Sequence, residues 1–399
     1  MSRRRDLRLV CAGSLVSLFG TSLTLIALLL TVRGAGTVAV AGLFIAESAP
    51  VLLAVPVAGL LIDQLPNRRL MIAAQLLQGA SVAAIAMFGR DLPAVYVFLV
   101  VLGCGGAVAR PAASALVPVI TGEAGATRGY ALISTANSLG LVLGTGVGGV
   151  LVSVLGTTDA LLIDAATYLV QAGLLLLVRT ERRPSGAHRS GSRHGALAGL
   201  RHLFGDRLLA TAVIGLAFTS LCAMLVDVAE VFFVTLVLHD GAIIIGLLQA
   251  AWMVGLVIGS RIAGRAGSQR AIALLLCVAE CVMALAFGGP ALLPLTVVTA
   301  IGYLVGGVTN AVQNVCQSAL VRARTPESVR GRTFAATGAV LNAANLIGTA
   351  IAGVVVGGIG SRSAFAAAGV LTLLVGIGSL VATSRATAEL VAQRTARTV

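Results

Sequence analysis

Apolar side chains fill twelve long runs of this chain, at 9–32, 38–62, 70–88, 94–117, 130–154, 160–178, 208–237, 243–262, 271–287, 291–320, 333–356 and 364–383, with short polar stretches between them. A helix needs about 20 apolar residues to cross a bilayer, and the runs are of that order. They lack the alternation of barrel strands. The expectation is therefore an all-α membrane protein with twelve transmembrane helices. The first run follows Arg3-Arg4-Arg5 and exceeds the apolar core of a signal peptide, about 7–15 residues, so it reads as a retained span.

Composition agrees. Of 399 residues 58% are hydrophobic and 11% charged, with a mean hydropathy of +1.01, against about 25% charged in soluble domains. The net charge of +13 could suggest a nucleic-acid partner, but its distribution points to lipid. All 28 basic residues are arginine. With the N-terminus inside, 24 of them fall in cytoplasmic segments, three (Arg33, Arg90, Arg362) in external loops and one, Arg110, within a span. That asymmetry is the positive-inside signal. Both termini are expected in the cytoplasm, the site is the cell membrane of a bacterium, and no nucleic acid is expected.

The missing lysine excludes a P-loop of the chain's own and Schiff-base chemistry. No HExxH or GxSxG is present, and the six cysteines form no CxxC pair. We expect neither an enzyme nor a cofactor or metal site.

The polar stretch from Arg179 to Arg207 divides the spans six and six. Its first half reads as a solvated linker, and "LAGLRHLFGD" as a short helix on the inner surface. The implied domains are a six-helix bundle at 1–178, an Arg-rich cytoplasmic linker at 179–207, a second bundle at 208–383 and a cytoplasmic tail at 384–399. A shift of 204 residues puts Ser114-Ala115-Leu116-Val117 on Ser318-Ala319-Leu320-Val321, Glu123 on Glu327, Gly144-Thr145 on Gly348-Thr349 and Gly149 on Gly353. One register recurring at four places argues for duplication of a six-span unit, and parallel repeats of this kind build major facilitator transporters.

Gly144, Gly146 and Gly149 spell GxGxxG. No strand precedes them and they lie mid-span, so a dinucleotide loop is excluded; glycines at this depth let helix backbones approach closely. "GLVLGTGVGG" also resembles the fifth-span antiporter motif of the major facilitator superfamily. Gly140, Gly144, Gly148 and Gly149 match, while Thr145 replaces its proline. "GLLIDQLPNRRLMI" at 59–72 is similar to the superfamily's loop signature: Gly59, Asp63 and Arg68 match, Arg69 adds a charge, and Gln64, Pro66 and Asn67 depart. "SLVSLFGTSLTLIALLL", "RPAASALVPVITGEAGATRGYALISTANSLG" and "GLRHLFGDRLL" resemble its enterobactin-exporter and macrolide-efflux branch.

The resemblance implies two pseudo-symmetric bundles that rock about a central site to export a small amphipathic molecule, of drug, secondary-metabolite or siderophore type, by proton antiport. It implies a conformational latch from Gly59, Asp63, Arg68 and Arg69, and a packing or hinge role for Gly140, Gly144, Gly148 and Gly149. The partners are then a small-molecule substrate, protons and the bilayer, with the chain acting as a monomer. A proton-coupled importer or a uniporter is the alternative.

Charges within spans are functional candidates by default. Glu47 precedes Asp63 by sixteen residues, hence by roughly 24 Å along a helix, and is a proton-coupling candidate or a neutral carboxyl bonded to a neighbouring helix. Asp227 and Glu230, three apart, share one helix face; they form a proton-coupling pair or line a wet vestibule. Arg110 attracts an anionic group into the cavity or snorkels to headgroups. Asn310, Gln313, Asn314 and Gln317 make a polar stripe that cannot face lipid, so it lines a cavity or bonds a neighbouring helix. Glu280 reads as structural. Asp164, four residues from a span end, reads as a snorkelling side chain.

Overall fold

The computed structural model describes residues 2–53, 61, 64–89, 91–122, 125–181, 193–263 and 268–398. Thirteen α-helices carry the described chain: α1 Ser2–Val32, α2 Thr37–Leu53, α3 Asn67–Phe88, α4 Leu92–Thr121, α5 Ala126–Leu155, α6 Thr157–Leu177, α7 Arg193–Gly205, α8 Arg207–Phe232, α9 Ala242–Ala263, α10 Gln269–Leu292, α11 Thr296–Arg324, α12 Glu327–Ile359 and α13 Ser361–Thr398. Helices satisfy their own backbone groups, which hydrocarbon cannot do for them.

Ten of the helices are long and apolar enough to cross a membrane. The other two predicted spans are α2, whose apolar run continues into residues outside the described set, and α11. The amide stripe of α11 dilutes its apolarity, although its 29 residues exceed the length a crossing needs. Large apolar side chains point outward along the spans, Val154 at 74% exposed and Leu285 at 69% among them. Lipid is the solvent such a surface calls for.

The boundaries shift in three places. α10 runs on through Leu292 with Pro290 in its last turn, where the apolar pattern breaks at 287. α13 continues to Thr398 through the segment read as a separate tail. The helix predicted from "LAGLRHLFGD" is α7, Arg193–Gly205.

The chain forms two compact units, Met1–Arg189 with Asp240–Ala250 and Ser190–His239 with Ala251–Val399. In the first, α1 packs on α5 and α6, and α3 on α4 and α6; in the second, α8 packs on α12 and α13, and α10 on α11 and α13. The 204-residue register survives in the backbone. α5 ends at Leu155 and α6 begins at Thr157, while α12 ends at Ile359 and α13 begins at Ser361. Each corner is one glycine: Gly156, at φ 88°, and Gly360, at φ 80°. Only glycine takes this backbone at no steric cost. Their N–H groups donate to Val152 and Val356, again 204 residues apart.

The loop-to-span-seven corner is ionic. Asp206 caps α8 by accepting from the Leu208 and Leu209 amides, and its other oxygen pairs with Arg324 Nε at 2.7 Å. Asp206→Ala removes both, and a lost cap alone costs about 1 kcal/mol. Purified Asp206→Ala protein should therefore melt measurably below wild type, with Asp206→Asn recovering the cap but not the ion pair.

Candidate functional site

Close helix contacts come first, because they set where side chains can go. In the first unit a side chain at Gly140 would enter the Leu15 carbonyl of α1, and one at Gly144 would lie 2.8 Å from the Phe19 Cα. Gly148 faces Leu23 and Ile26. Gly149 and Gly246 of α9 leave no room for a side chain between α5 and the start of α9. The GxGxxG stretch therefore lies in helix α5 with two backbones pressed against it.

α2 meets α4 in the same way. A Cβ at Gly103 would sit 2.7 Å from the Glu47 carbonyl oxygen and 3.2 Å from Pro50. Glu47 is half-buried there, and Arg110, two turns along α4, is exposed on the protein surface yet near enough for its charge to act on Glu47. Gly59 and Asp63 of the expected latch lie outside the described residues. Arg68 donates to the Leu175 and Leu176 carbonyls at 3.2 and 2.9 Å, which caps the C-terminus of α6 with a cation. Arg69 is exposed.

Asp164 corrects the sequence expectation. It is 0% exposed and does not reach the span end. The Thr24 hydroxyl donates to Oδ2 at 2.5 Å, and Thr167 Oγ1 lies 2.9 Å from Oδ1. Gly20 of α1 makes the space, since a Cβ there would collide with Asp164 and Thr167. Spacing along the chain hid this, because Thr24 sits 140 residues away, although Thr167 is only three residues on. A glycine facing a carboxyl was the only available signal.

In the second unit, Glu230 is buried and Asp227 half-buried near the end of α8. The helix then widens into a π-helical segment, Phe233–Val237, a deformation frequent at functional sites. Phe233 is fully buried and stacks on Phe365 at 4.6 Å, so it belongs to the core; Phe232 is half-buried. Tyr303 of α11 is buried within electrostatic reach of both Glu230 and Asp227. Against it stands Trp252, the chain's one tryptophan, edge-on at 6.2 Å, in a slot opened by Gly306. Sequence reasoning passed over Trp252 because an apolar residue in an apolar run carries no pattern.

The amide stripe of α11 resolves into two rows. Gln313 and Gln317 are buried, at 2% and 8% exposed. Asn310 is half-buried and Asn314 exposed, and the Asn314 amide donates to the Asn310 carbonyl and side-chain oxygen. Glu280 of α10 is fully buried beneath Gly215 of α8 and beside Ser379 of α13. Among the described residues no three His, Cys, Asp or Glu gather as a metal site.

Carboxyls held in apolar helices can exchange protons, and an aromatic pair beside carboxyls and amides can hold an amphipathic molecule. Comparison with known proteins places the fold. Residues 10–317 match the family model "Major Facilitator Superfamily". The "Multidrug efflux pump Tap" of Mycolicibacterium fortuitum is 28% identical over 410 aligned positions, covering 94% of this chain and 95% of the relative. Among solved structures, a bacterial homolog to the human lysosomal transporter Spinster superposes with a TM-score of 0.73 at 14% identity, over 96% of this chain and 97% of that one. The nucleoside transporter NupG superposes at 0.72 and 14%, over 96% and 99%. These two likenesses are of fold alone.

Proposed function

We propose that this chain, which belongs to the Major Facilitator Superfamily and is a multi-pass membrane transporter and not an enzyme, exports a small amphipathic molecule in exchange for protons by alternating access. The observation that carries the reading is the end-to-end likeness to a multidrug efflux pump. Half-buried and buried carboxyls at Glu47, Asp227 and Glu230 support the proton half of it. Arg110, Asn310, Gln313, Asn314 and Gln317, with Trp252 and Tyr303, are the side chains we assign to the substrate path; Gly59, Asp63, Arg68 and Arg69 we assign to the latch. The protein works as a monomer in the bacterial plasma membrane with both termini in the cytoplasm.

The test is uptake of ethidium into inverted vesicles under an imposed pH gradient, followed by a panel of amphipathic dyes and antibiotics. Gradient-dependent uptake absent from vector controls supports the reading; no uptake of any compound overturns it. Glu47→Gln should abolish the response to the gradient while leaving protein levels unchanged, and full retained activity would remove Glu47 from the coupling set. The rival reading, a proton-coupled importer or a uniporter, draws on Thr145 standing where the antiporter motif has proline. The direction of flux in whole cells separates the two.

A further inference from the structure

Thr167 has one hydroxyl hydrogen and two oxygens within bonding distance, the Asp164 main-chain carbonyl at 2.8 Å and Asp164 Oδ1 at 2.9 Å. A carbonyl only accepts. Thr167 can give its one hydrogen fully to only one of the two; while the carbonyl has it, a hydrogen on Oδ1 would complete the second contact. Thr24 makes one side-chain bond, to Oδ2. A neutral carboxyl would satisfy all three contacts at once: Thr24 donates to Oδ2, a hydrogen on Oδ1 is given to Thr167, and Thr167 donates to the Asp164 carbonyl. With an ionised carboxyl the single Thr167 hydrogen has to serve both Oδ1 and the main-chain carbonyl.

The surroundings agree. Asp164, Thr24 and Thr167 are buried, and no arginine among the described residues forms an ion pair with Asp164. An ionised carboxylate in that place would lack the compensating charge that burial demands. Tyr168, on the same helix, is within electrostatic reach of Asp164, and its hydroxyl lies 3.3 Å from that of Thr21. The elements packed on α6 bring nothing else of that kind to this level: the ionisable residues of α1, α3 and α5 all lie in their first three turns.

We propose that Asp164, with Thr24 and Thr167, is a proton-binding site of the first unit, distinct from the Glu47, Asp227 and Glu230 carboxyls, and that it loads and unloads as α1 moves against α6. Gly20 lets the two helices close over the carboxyl, so the site exists only while they are in contact. When they part and water enters, the Oδ1–H bond breaks, the proton passes to water, and the carboxylate left behind is hydrated. Re-closure requires a proton to return from water first. In the antiport of the preceding section, on which this coupling role rests, the site carries a transported proton.

The test uses the full-length protein in lipid bilayers. Infrared titration of wild type against Asp164→Asn should isolate one protonated-carboxyl carbonyl band that vanishes as pH rises. Thr24→Val, which removes one donor, should shift that band. Asp164→Asn keeps both hydrogen-bonding partners, so it should keep the wild-type melting temperature yet lose pH-gradient-driven ethidium transport down to the level seen without a gradient. The proposal is overturned if no such band separates the two proteins, if the band ignores pH, or if Asp164→Asn retains wild-type driven transport. Failure of wild type itself to respond to a gradient would overturn the antiport reading instead, and the infrared result would still decide whether Asp164 binds a proton.

Discussion

Gly144→Leu is expected to yield almost no monodisperse protein from detergent extracts, while Gly146→Ala, two residues away, stays close to wild type. The contrast comes from what each side chain would meet. At 144 even a methyl group falls within 2.8 Å of the Phe19 Cα and 2.9 Å of the Ser22 Cβ, both on α1. At 146 the nearest atom is the Ala250 Cβ at 3.7 Å, ordinary contact. Overpacking typically costs about 1–3 kcal/mol even where neighbours can yield, and α1 can yield only by moving its backbone. Gly144→Ala should thus lower the melting temperature clearly and leucine should prevent assembly. Size-exclusion profiles and thermal melts of the three variants check this; a stable leucine variant would mean that α1 and α5 do not touch here.

The second large effect is expected at Phe233→Ala. The ring is fully buried and stacked on Phe365, at the start of the π-helical segment. Removing a buried phenylalanine from a water-soluble core costs about 3–5 kcal/mol. Lipid tails are as apolar as the core they replace, so the transfer part of that cost shrinks. What remains is lost packing, about 2–3 kcal/mol by the cavity argument. Glu230 lies one turn before the ring, so the same variant should blunt transport beyond what reduced protein level explains, and Phe233→Leu should recover most of both. Transport normalised to folded protein is the measurement; an alanine variant as stable as wild type would place the ring outside the core.

Much of the fold could be read from the chain. Apolar run length predicts helices because the bilayer sets a single length scale, and the 204-residue register anticipates the paired corners at Gly156 and Gly360. Boundaries such as 287 against Leu292 were not legible: Gly288-Gly289-Pro290 reads as a stop, because proline gives up its N–H and its ring crowds the carbonyl four residues back, yet α10 continues through it. Site residues divide by range. Asp227 and Glu230 share a face through local spacing. Asp164 with Thr24, and Trp252 with Tyr303 and Gly306, depend on which helices pack together, and apolar periodicity does not encode that. Gly215 opposite Glu280 shows the same signal as Gly20 opposite Asp164, a missing side chain where a polar one must fit.

The two halves share a glycine corner, at Gly156 and Gly360, but not their acids. Carried across by 204 residues, Asp164 falls on Ala368, Glu47 on Ala251, Asp227 on Leu23, Glu230 on Ile26 and Glu280 on Leu76. No membrane-embedded acid has a twin. The glycine bends recur in both halves while each acid stands in one half only, so the 204-residue register carries backbone turns and not titratable chemistry.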